Sequence, residues 1–330
     1  MEISKATQKP SILRSDATQK ILAFASVIVL SIVFSLLSPY FFSVDNFINI
    51  LLATAVNCIL GLGITFIIIT GGIDLSAGTV MTFSAVTTAT CSTVWGLANP
   101  VAILGGLAAG ALCGFINGTI ISRLRMPPFV ATLGMMYVTK GLSLVISGVK
   151  PVYFSDASQF RGIAMDSIVA DVIPGLPIPN AVLIMIFAAI IAGLILSRTV
   201  LGRYDVALGS NEEAARLSGI NTKLWKTLVY TLGGLFFGLA GVVMASRLNS
   251  AQPALGQGYE MDAIAAAVIG GTSLSGGEGS ILGTIIGAFV ISTLSNGLRI
   301  LSVPQEWQYV VTGSILVLAV YLDILRRRTK

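Results

Sequence analysis

The sequence has 330 residues, of which 55% are hydrophobic and 11% charged, with a formal net charge of +5. Soluble domains carry charge on about a quarter of their residues, so this composition excludes an ordinary water-soluble protein and predicts an all-α integral membrane protein. The sequence contains no histidine. That removes Ser-His and Cys-His nucleophilic sites and HExxH metal sites, so we expect no catalytic residue, no metal site and no cofactor.

Apolar runs long enough to cross a bilayer follow one another along almost the whole chain. They predict about ten transmembrane helices, with glycine-rich helix breaks between some of them. The predicted spans are 21–38, 47–70, 76–95, 100–122, 128–148, 180–197, 228–246, 262–274, 280–298 and 307–325. The 262–274 run is short for a crossing, but if it does cross, both termini lie on the same side.

The basic residues indicate which side that is. Most of the 20 Lys and Arg residues fall in segments that are cytoplasmic if the N-terminus is inside, so we predict two cytoplasmic termini. Topology and anionic membrane lipid then explain the positive charge, and no nucleic-acid partner is needed. The predicted organisation is a cytoplasmic N-terminal tail (1–20), one transmembrane domain (21–325) and a basic cytoplasmic tail (326–330). The transmembrane domain contains an outer loop (149–179) and a cytoplasmic loop (198–227).

A regular stripe of small residues occupies the fourth span. Ala102, Gly106, Gly110, Gly114 and Gly118 recur at intervals of four and share one helix face. Such a face lets another helix backbone approach closely, which is how helices associate in lipid. The stripe predicts tight packing and does not by itself identify a transporter.

Two glycine-rich stretches resemble each other: "ITGGIDLSAG" at 69–78 and "VIGGTSLSGG" at 268–277. An internal repeat and a chance likeness both remain open. In either case, paired glycines with small polar residues predict helix breaks, whose freed backbone groups need protein or a water-lined cavity at membrane depth. We predict that they lie beside a hydrophilic path and could form its gate. The candidate residues are Gly71, Gly72, Asp74, Ser76, Asn117, Gly270, Gly271, Ser273 and Ser275.

Two charged residues near or inside spans need an explanation. Asp74 could accept hydrogen bonds from freed backbone amides or a neighbouring span and shape a gate. Alternatively, it caps the third span at the cytoplasmic surface, which is the commoner role, and both can hold together. Lys140 lies inside the fifth span and should face the protein interior, a cavity or an interface, because facing lipid at the bilayer centre costs about 3 kcal/mol.

The cytoplasmic loop is the only sizeable polar stretch between spans with a helix signal. Ser210 and Glu213 have capping-box spacing, and Gly219 can adopt the left-handed conformation that ends a helix. We predict a short helix from Asn211 to Ser218. The length of the loop favours docking of a partner over a solvated helix without one.

The sequence resembles the permease subunits of bacterial ribose, arabinose and galactose ABC importers. Four motifs carry this likeness: "GRYDVALGSNEEAARLSGI" at 202–220, "GGIDLSAG" at 71–78, "GYEMDAIAAAVIGGTSLSGGEGSILGT" at 258–284 and "NGL" at 296–298. The resemblance extends from about residue 40 to the C-terminus, in one order and with plausible spacing.

The resemblance implies a permease of the bacterial plasma (inner) membrane that moves a monosaccharide into the cytoplasm. The implied partners are a cytoplasmic ATPase subunit with two nucleotide-binding modules, an extracytoplasmic sugar-binding protein and a second permease copy, as a homodimer or pair. The family pattern assigns the predicted loop helix to docking against the ATPase. The implied coupling residues are Gly209, Ser210, Asn211, Glu212, Glu213, Ala214, Ala215, Arg216 and Gly219. The sequence has no GxxxxGK[ST] phosphate loop, so we expect ATP hydrolysis on a partner chain and no enzyme activity here.

Two other classes of function compete with this interpretation. An ion-gradient-driven secondary transporter would need a coupling site, and Asp74 and Lys140 are the candidates. The lack of histidine and of a clustered carboxylate pair within the spans disfavours it. An enzyme or a purely structural membrane protein is disfavoured because no nucleophile with a base is visible, and because structure alone does not explain the glycine breaks together with the loop helix.

Overall fold

The computed structural model describes residues 16–155 and 159–328, and this part of the chain is almost entirely helical. The helices are α1 (Asp16–Leu37), α2 (Val44–Ile69), α3 (Ala77–Thr93), α4 (Asn99–Arg123), α5 (Pro128–Ser147), α6 (Gly162–Met165), α7 (Ile168–Val172), α8 (Asn180–Arg198), α9 (Val200–Ser210), α10 (Glu212–Leu217), α11 (Thr222–Leu248), α12 (Tyr259–Ile269), α13 (Ile281–Ile300) and α14 (Gln305–Arg328). Two short strands, β1 (Val152–Tyr153) and β2 (Ser250–Ala251), pair antiparallel.

Each of the ten predicted spans overlaps one helix, although the 262–274 span was placed wrongly at its end, because α12 stops at Ile269. Within the described residues, seven helices are long and apolar enough to cross a membrane: α1 from Lys20, α2, α4, α5, α8, α11 and α13. The other three, α3, α12 and α14, do not meet this criterion. The structure therefore supports an all-α membrane protein, while the count of ten spans stays a prediction.

Helix α2 forms the centre of the bundle. It is buried over nearly all its length from Ile50 and packs against α8, α11, α12 and α13. Polar side chains tie α2 to α13: the Thr65 and Thr284 hydroxyl oxygens lie 2.6 Å apart, and Asn57 Nδ2 donates to Ser292 Oγ over 3.1 Å. Such interhelical hydrogen bonds hold helices together where lipid supplies no hydrophobic drive.

The small-residue stripe of α4 packs directly on α11. Gly110 lies against Gly234, and Gly114 lies against the backbone of Tyr230, in both cases too close for a Cβ atom to fit. The close approach predicted from the spacing of these glycines is confirmed.

The first helix lies at the edge of the bundle. Its main contact is with α13, where the Phe34 ring rests on Gly297 so closely that a Cβ atom there would overlap the ring. Large apolar side chains, including Ile21, Phe24 and Leu36, are exposed on its other faces.

The connecting segments divide between the two ends of the bundle. At one end, called the α10 end below, α2, α4 and α8 end and α5, α11 and α13 begin. At the opposite end lie the strands, α6 and α7, where Ser246 Oγ of α11 donates to the Phe160 carbonyl over 2.8 Å. The outer loop predicted at 149–179 thus contains short ordered elements, apart from 156–158, which lie outside the described residues.

The predicted cytoplasmic loop at 198–227 is more helical than expected. It contains α9, which the sequence analysis missed, and the first turns of α11, which begins at Thr222 rather than 228. The N-terminal tail predicted at 1–20 lies mostly outside the described residues, and α1 already begins at Asp16. The basic tail at 326–330 continues α14 as far as Arg328.

Candidate functional site

The first glycine-rich stretch stops α2 with a Schellman motif. Gly71 has a left-handed backbone (φ +77°), and its N–H donates to the Ile68 carbonyl over 2.8 Å. The Gly72 N–H donates to the Ile67 carbonyl over 3.1 Å. Glycine is favoured at the left-handed position because it has no Cβ atom, so a glycine at residue 71 suits this stop.

The second stretch stops α12 in the same way. Gly271 (φ +94°) donates to the Val268 carbonyl, and Thr272 donates to the Ala267 carbonyl, both over 2.9 Å. The residue equivalent to Gly71 is therefore Gly271, whereas the sequence comparison paired Gly71 with Gly270. That pairing is off by one residue at the glycines, where Gly270 takes the helical cap position.

Further along, the two stretches regain the predicted alignment. The Ser76 N–H donates to Asp74 Oδ1 over 2.7 Å, and the Ser275 N–H donates to Ser273 Oγ over 3.2 Å. Both are turns in which a side-chain oxygen caps the amide two residues later. The stretches differ in how soon the next helix begins, since α3 starts at once whereas α13 starts only at Ile281 and turns back along α12.

The two stops meet each other and the end of α9. The Gly277 N–H donates to the Ile69 carbonyl over 2.9 Å. A Cβ atom on Gly276 would lie 2.8 Å from the Gly209 carbonyl oxygen and 2.9 Å from the Gly71 nitrogen, and one on Gly209 would overlap the Ile69 carbonyl. We call Gly71, Gly209, Gly276 and Gly277 the glycine junction. It joins the predicted coupling residue Gly209 to both predicted gate stretches.

Asp74 is buried, with 1% of its surface exposed. Its Oδ1 accepts from the Ser76 N–H and from Ser76 Oγ (2.6 Å), and Asn117 Nδ2 of α4 donates to Ser76 Oγ over 3.1 Å. Asp74 thus accepts from a freed backbone amide, as the first interpretation expected. The surface position expected by the second is wrong, because α3 and α4 cover the carboxylate, and Ser76 occupies the N-cap position of α3.

The sequence analysis missed Tyr230 beside this cluster. Tyr230 belongs to α11, is fully buried, and places its hydroxyl against Gly72. Within the described part of the chain, neither this hydroxyl nor Asn117 Oδ1 has a hydrogen-bond partner. No sequence signal pointed to this residue, because a tyrosine in an apolar run is ordinarily part of the core.

The helix predicted in the cytoplasmic loop is present as α10. Its N-cap is Asn211, whose Oδ1 accepts from the Ala214 N–H over 2.9 Å. The predicted cap at Ser210 is wrong: α9 continues through Ser210, whose hydroxyl donates to the Val206 carbonyl. Gly219 adopts the expected left-handed conformation (φ +86°) and ends the helix.

The surface of α10 combines ion pairs with an apolar side chain. Arg216 donates to Glu213, which lowers the pKa of the Glu213 carboxyl, and Lys226 Nζ of α11 lies 2.6 Å from Glu212 Oε2. Ala215 is buried against the protein, while Leu217 is 75% exposed. An exposed leucine at the α10 end is available to a partner.

Lys140 has a neutral partner. Its Nζ donates to Gln257 Oε1 over 3.3 Å. In the described residues neither Lys140 nor Asp74 takes part in an ion pair, and no group of three His, Cys, Asp or Glu side chains that could hold a metal ion is found.

Comparison with known proteins identifies the family. The family described as "branched-chain amino acid transport system / permease component" matches residues 46–320. The chain belongs to this permease family. The permease is 42% identical to the ribose import permease of Escherichia coli K12 over 303 residues, covering 90% of this chain and 91% of the relative. It is 41% identical to the ribose import permease of Bacillus subtilis 168 over 317 residues, covering 96% of each.

A further relative is named for a different sugar. The permease is 37% identical to the D-allose transport system permease of Escherichia coli K12, over 92% of this chain and 90% of the relative. No solved structure matches the chain. The permease is a multi-pass protein of the bacterial plasma membrane and a transport component rather than an enzyme.

Proposed function

We propose that this permease carries a monosaccharide into the cytoplasm as the membrane-spanning subunit of an ABC importer energised by a separate ATPase. The observation that carries the proposal is the likeness, over nine-tenths or more of each chain, to permeases named for ribose and D-allose. The family description names branched-chain amino acids, but the relatives that align almost end to end favour a sugar. The sugar-binding protein and ATPase are the partners that such an importer needs.

The finer topology is part of the proposal. We propose that α3, α12 and α14 complete ten spans, with both termini in the cytoplasm and the α10 end facing it. The positions of these helices at the predicted spans support this count. A second, identical copy of the chain then completes the pathway.

The α10 end is the proposed docking site of the ATPase. Its exposed Leu217 and its paired charges offer an apolar contact within a polar rim, which is the usual anatomy of a protein interface. The proposed docking residues are those predicted from 210 to 216 together with Gly219, and Leu217 joins them. Gly209 is proposed as a coupling residue only, because it packs against the Ile69 carbonyl.

The glycine junction is the proposed route of coupling. Gly209 lies at the end of α9 and touches the Ile69 carbonyl at the stop of α2, while Gly276 and Gly277 connect the stop of α12 to the same point. Closure of the ATPase that moves α9 would therefore act on both stops together. A partner selects one access state by binding the two states with different free energies. The Asp74, Ser76 and Asn117 cluster is the proposed gate.

The test uses two surface substitutions matched in exposure. Leu217 and Val172 are each 75% exposed and lie at opposite ends of the bundle. We expect Leu217→Arg to lose co-purification with the ATPase encoded beside this chain and to lose ATP-dependent sugar uptake. Val172→Arg should retain the ATPase, because α7 lies at the opposite end.

Two results would contradict the proposal. If Leu217→Arg retains the ATPase as fully as Val172→Arg, α10 is not the docking site. If the wild-type chain purifies alone and takes up sugar in proteoliposomes under an ion gradient, the permease is a secondary transporter, and Asp74 and Lys140 become its coupling candidates.

A further inference from the structure

A charged side chain lies deep within one membrane-crossing helix. Lys140 is twelve residues into α5, about 18 Å from its first residue at 1.5 Å per residue. The side chain is half-buried, and its Nζ donates to Gln257 Oε1. A lysine at this depth is tolerated where it faces a polar cavity.

Gln257 belongs to a non-helical segment at the same depth. The chain leaves α11 after Leu248, pairs briefly in β2, and forms no helix again until Tyr259. On the way it runs beside α3, where Gly256 packs on Gly78 so closely that neither position has room for a Cβ atom. Irregular backbone at membrane depth occurs where it is buried in protein or lines a water-filled cavity.

Two small adjoining clefts open along this segment, each with a cavity volume of about 10 Å³, which is room for about one water molecule. Lys140, Gln257 and Thr79 line one, and Gln252 lines the other, while Thr82 lines both. The Thr79 hydroxyl is 2.9 Å from that of Thr139 on α5, so α3 and α5 hold the polar wall together. These clefts lie apart from the glycine junction, beyond Gly78 along α3.

We propose that Lys140, Gln257, Thr79, Thr82 and Gln252 line the passage of the sugar, and that the bond between Lys140 and Gln257 closes it in the described conformation. This inference rests on the proposed function. Amide and hydroxyl groups both donate and accept hydrogen bonds, which suits a neutral ligand rich in hydroxyl groups. A passage also has to release what it admits, which a small number of such polar contacts allows.

The inference is tested by the reaction of introduced cysteines with a membrane-impermeant thiol reagent. The three native cysteines, Cys58, Cys91 and Cys113, are at most 5% exposed and supply little background. Val138 is 54% exposed on α5 and lies outside the clefts, so Val138→Cys is the matched control on the outer surface of the bundle. We expect Gln257→Cys and Lys140→Cys to react at least tenfold faster than Val138→Cys, and D-ribose delivered by its binding protein to slow that reaction.

A second measurement keeps the test independent of folding defects. Gln257→Ala should leave expression and ATPase co-purification unchanged but shift the KM for D-ribose uptake by at least threefold. If wild-type importer takes up sugar with ATP, while Gln257→Cys reacts no faster than Val138→Cys, the passage lies elsewhere and the inference is wrong. Absence of ATP-dependent uptake by the wild type would instead overturn the proposed function, whatever the labelling shows.

Discussion

At the scale of single residues, the contact between Gly72 and Tyr230 leaves no room for a side chain in the first helix stop. A Cβ atom on Gly72 would overlap the Tyr230 hydroxyl oxygen. The next neighbours of that position, Thr70 Oγ1 and Tyr230 Cζ, are each 3.2 Å away. The hydroxyl is therefore the main obstacle to a side chain at residue 72, and it lies next to the buried Asp74.

This contact predicts a pair of compensating substitutions. Gly72→Ala should destabilise the protein by about 1–3 kcal/mol because it overpacks the site. Tyr230→Phe should change stability little, because the hydroxyl has no hydrogen-bond partner to lose in the described residues. The double variant should regain most of the loss, measured as thermal midpoints in detergent. A double variant no more stable than Gly72→Ala would contradict this interpretation of the contact.

At the scale of elements, α9 packs on the bundle through a face that buries a carboxyl group, which lowers the stability of the folded protein. Its buried face presents Gly202, Asp205 and Leu208. Neither carboxylate oxygen of Asp205 has a hydrogen-bond partner in the part of the chain that the structure describes. Burial raises the pKa of the Asp205 carboxyl well above its ordinary value. The folded protein thus holds this proton more tightly than the unfolded chain, and the carboxyl lowers stability as pH rises.

Asp205→Asn should therefore stabilise the protein in a pH-dependent manner. We expect a higher thermal midpoint than wild type at pH 8, corresponding to about 1–3 kcal/mol. The difference should shrink as the pH falls and disappear only below the ordinary Asp pKa of 3.8, where the wild-type carboxyl is protonated in the unfolded chain as well. Asp171→Asn on the exposed face of α7 is the control and should show no such trend. An unchanged midpoint at pH 8 would mean that Asp205 is not buried as described.

Sequence reasoning succeeded where the signal is local and long. Apolar runs located the helices, and the spacing of glycines in α4 predicted its packing on α11. It failed where local signals compete. Asn211 rather than Ser210 caps α10, because α9 continues through Ser210.

Contacts between distant parts of the chain could not be predicted from the sequence. The glycine junction joins Ile69, Gly209 and Gly277, and the cluster at Asp74 includes Tyr230. Each of these residues is ordinary in its own segment, since glycine is frequent in membrane helices and a tyrosine in an apolar run is ordinarily part of the core. Only the folded structure shows that they contact one another.

At the scale of the whole molecule, the glycine junction predicts that docking and transport can be separated. Gly209→Ala should keep the ATPase bound, since α10 is unchanged, but lose at least tenfold in sugar uptake, because the new methyl group displaces the Ile69 carbonyl. Gly193→Ala in α8, where nothing lies within 4 Å of the added atom, should transport normally.

Comparing Gly209→Ala with Leu217→Arg separates coupling from docking in the segment that contains α9 and α10. Bound ATPase with continued ATP hydrolysis and little uptake would mark Gly209→Ala as uncoupled, unlike Leu217→Arg, which is expected to lose the ATPase. Uptake by Gly209→Ala equal to that of Gly193→Ala would show that movement does not pass through the junction.

The position of α1 bears on the order in which the membrane protein is assembled. Phe34 is made long before Gly297, the residue on which its ring rests, and at about 5–20 residues per second the delay is roughly 10–50 s. During that time α1 has no α13 to contact. The apolar side chains that α1 exposes in the finished bundle are also compatible with lipid, so α1 is stable in the membrane before α13 is made. We therefore expect α1 to join the bundle only after α13 has been synthesised.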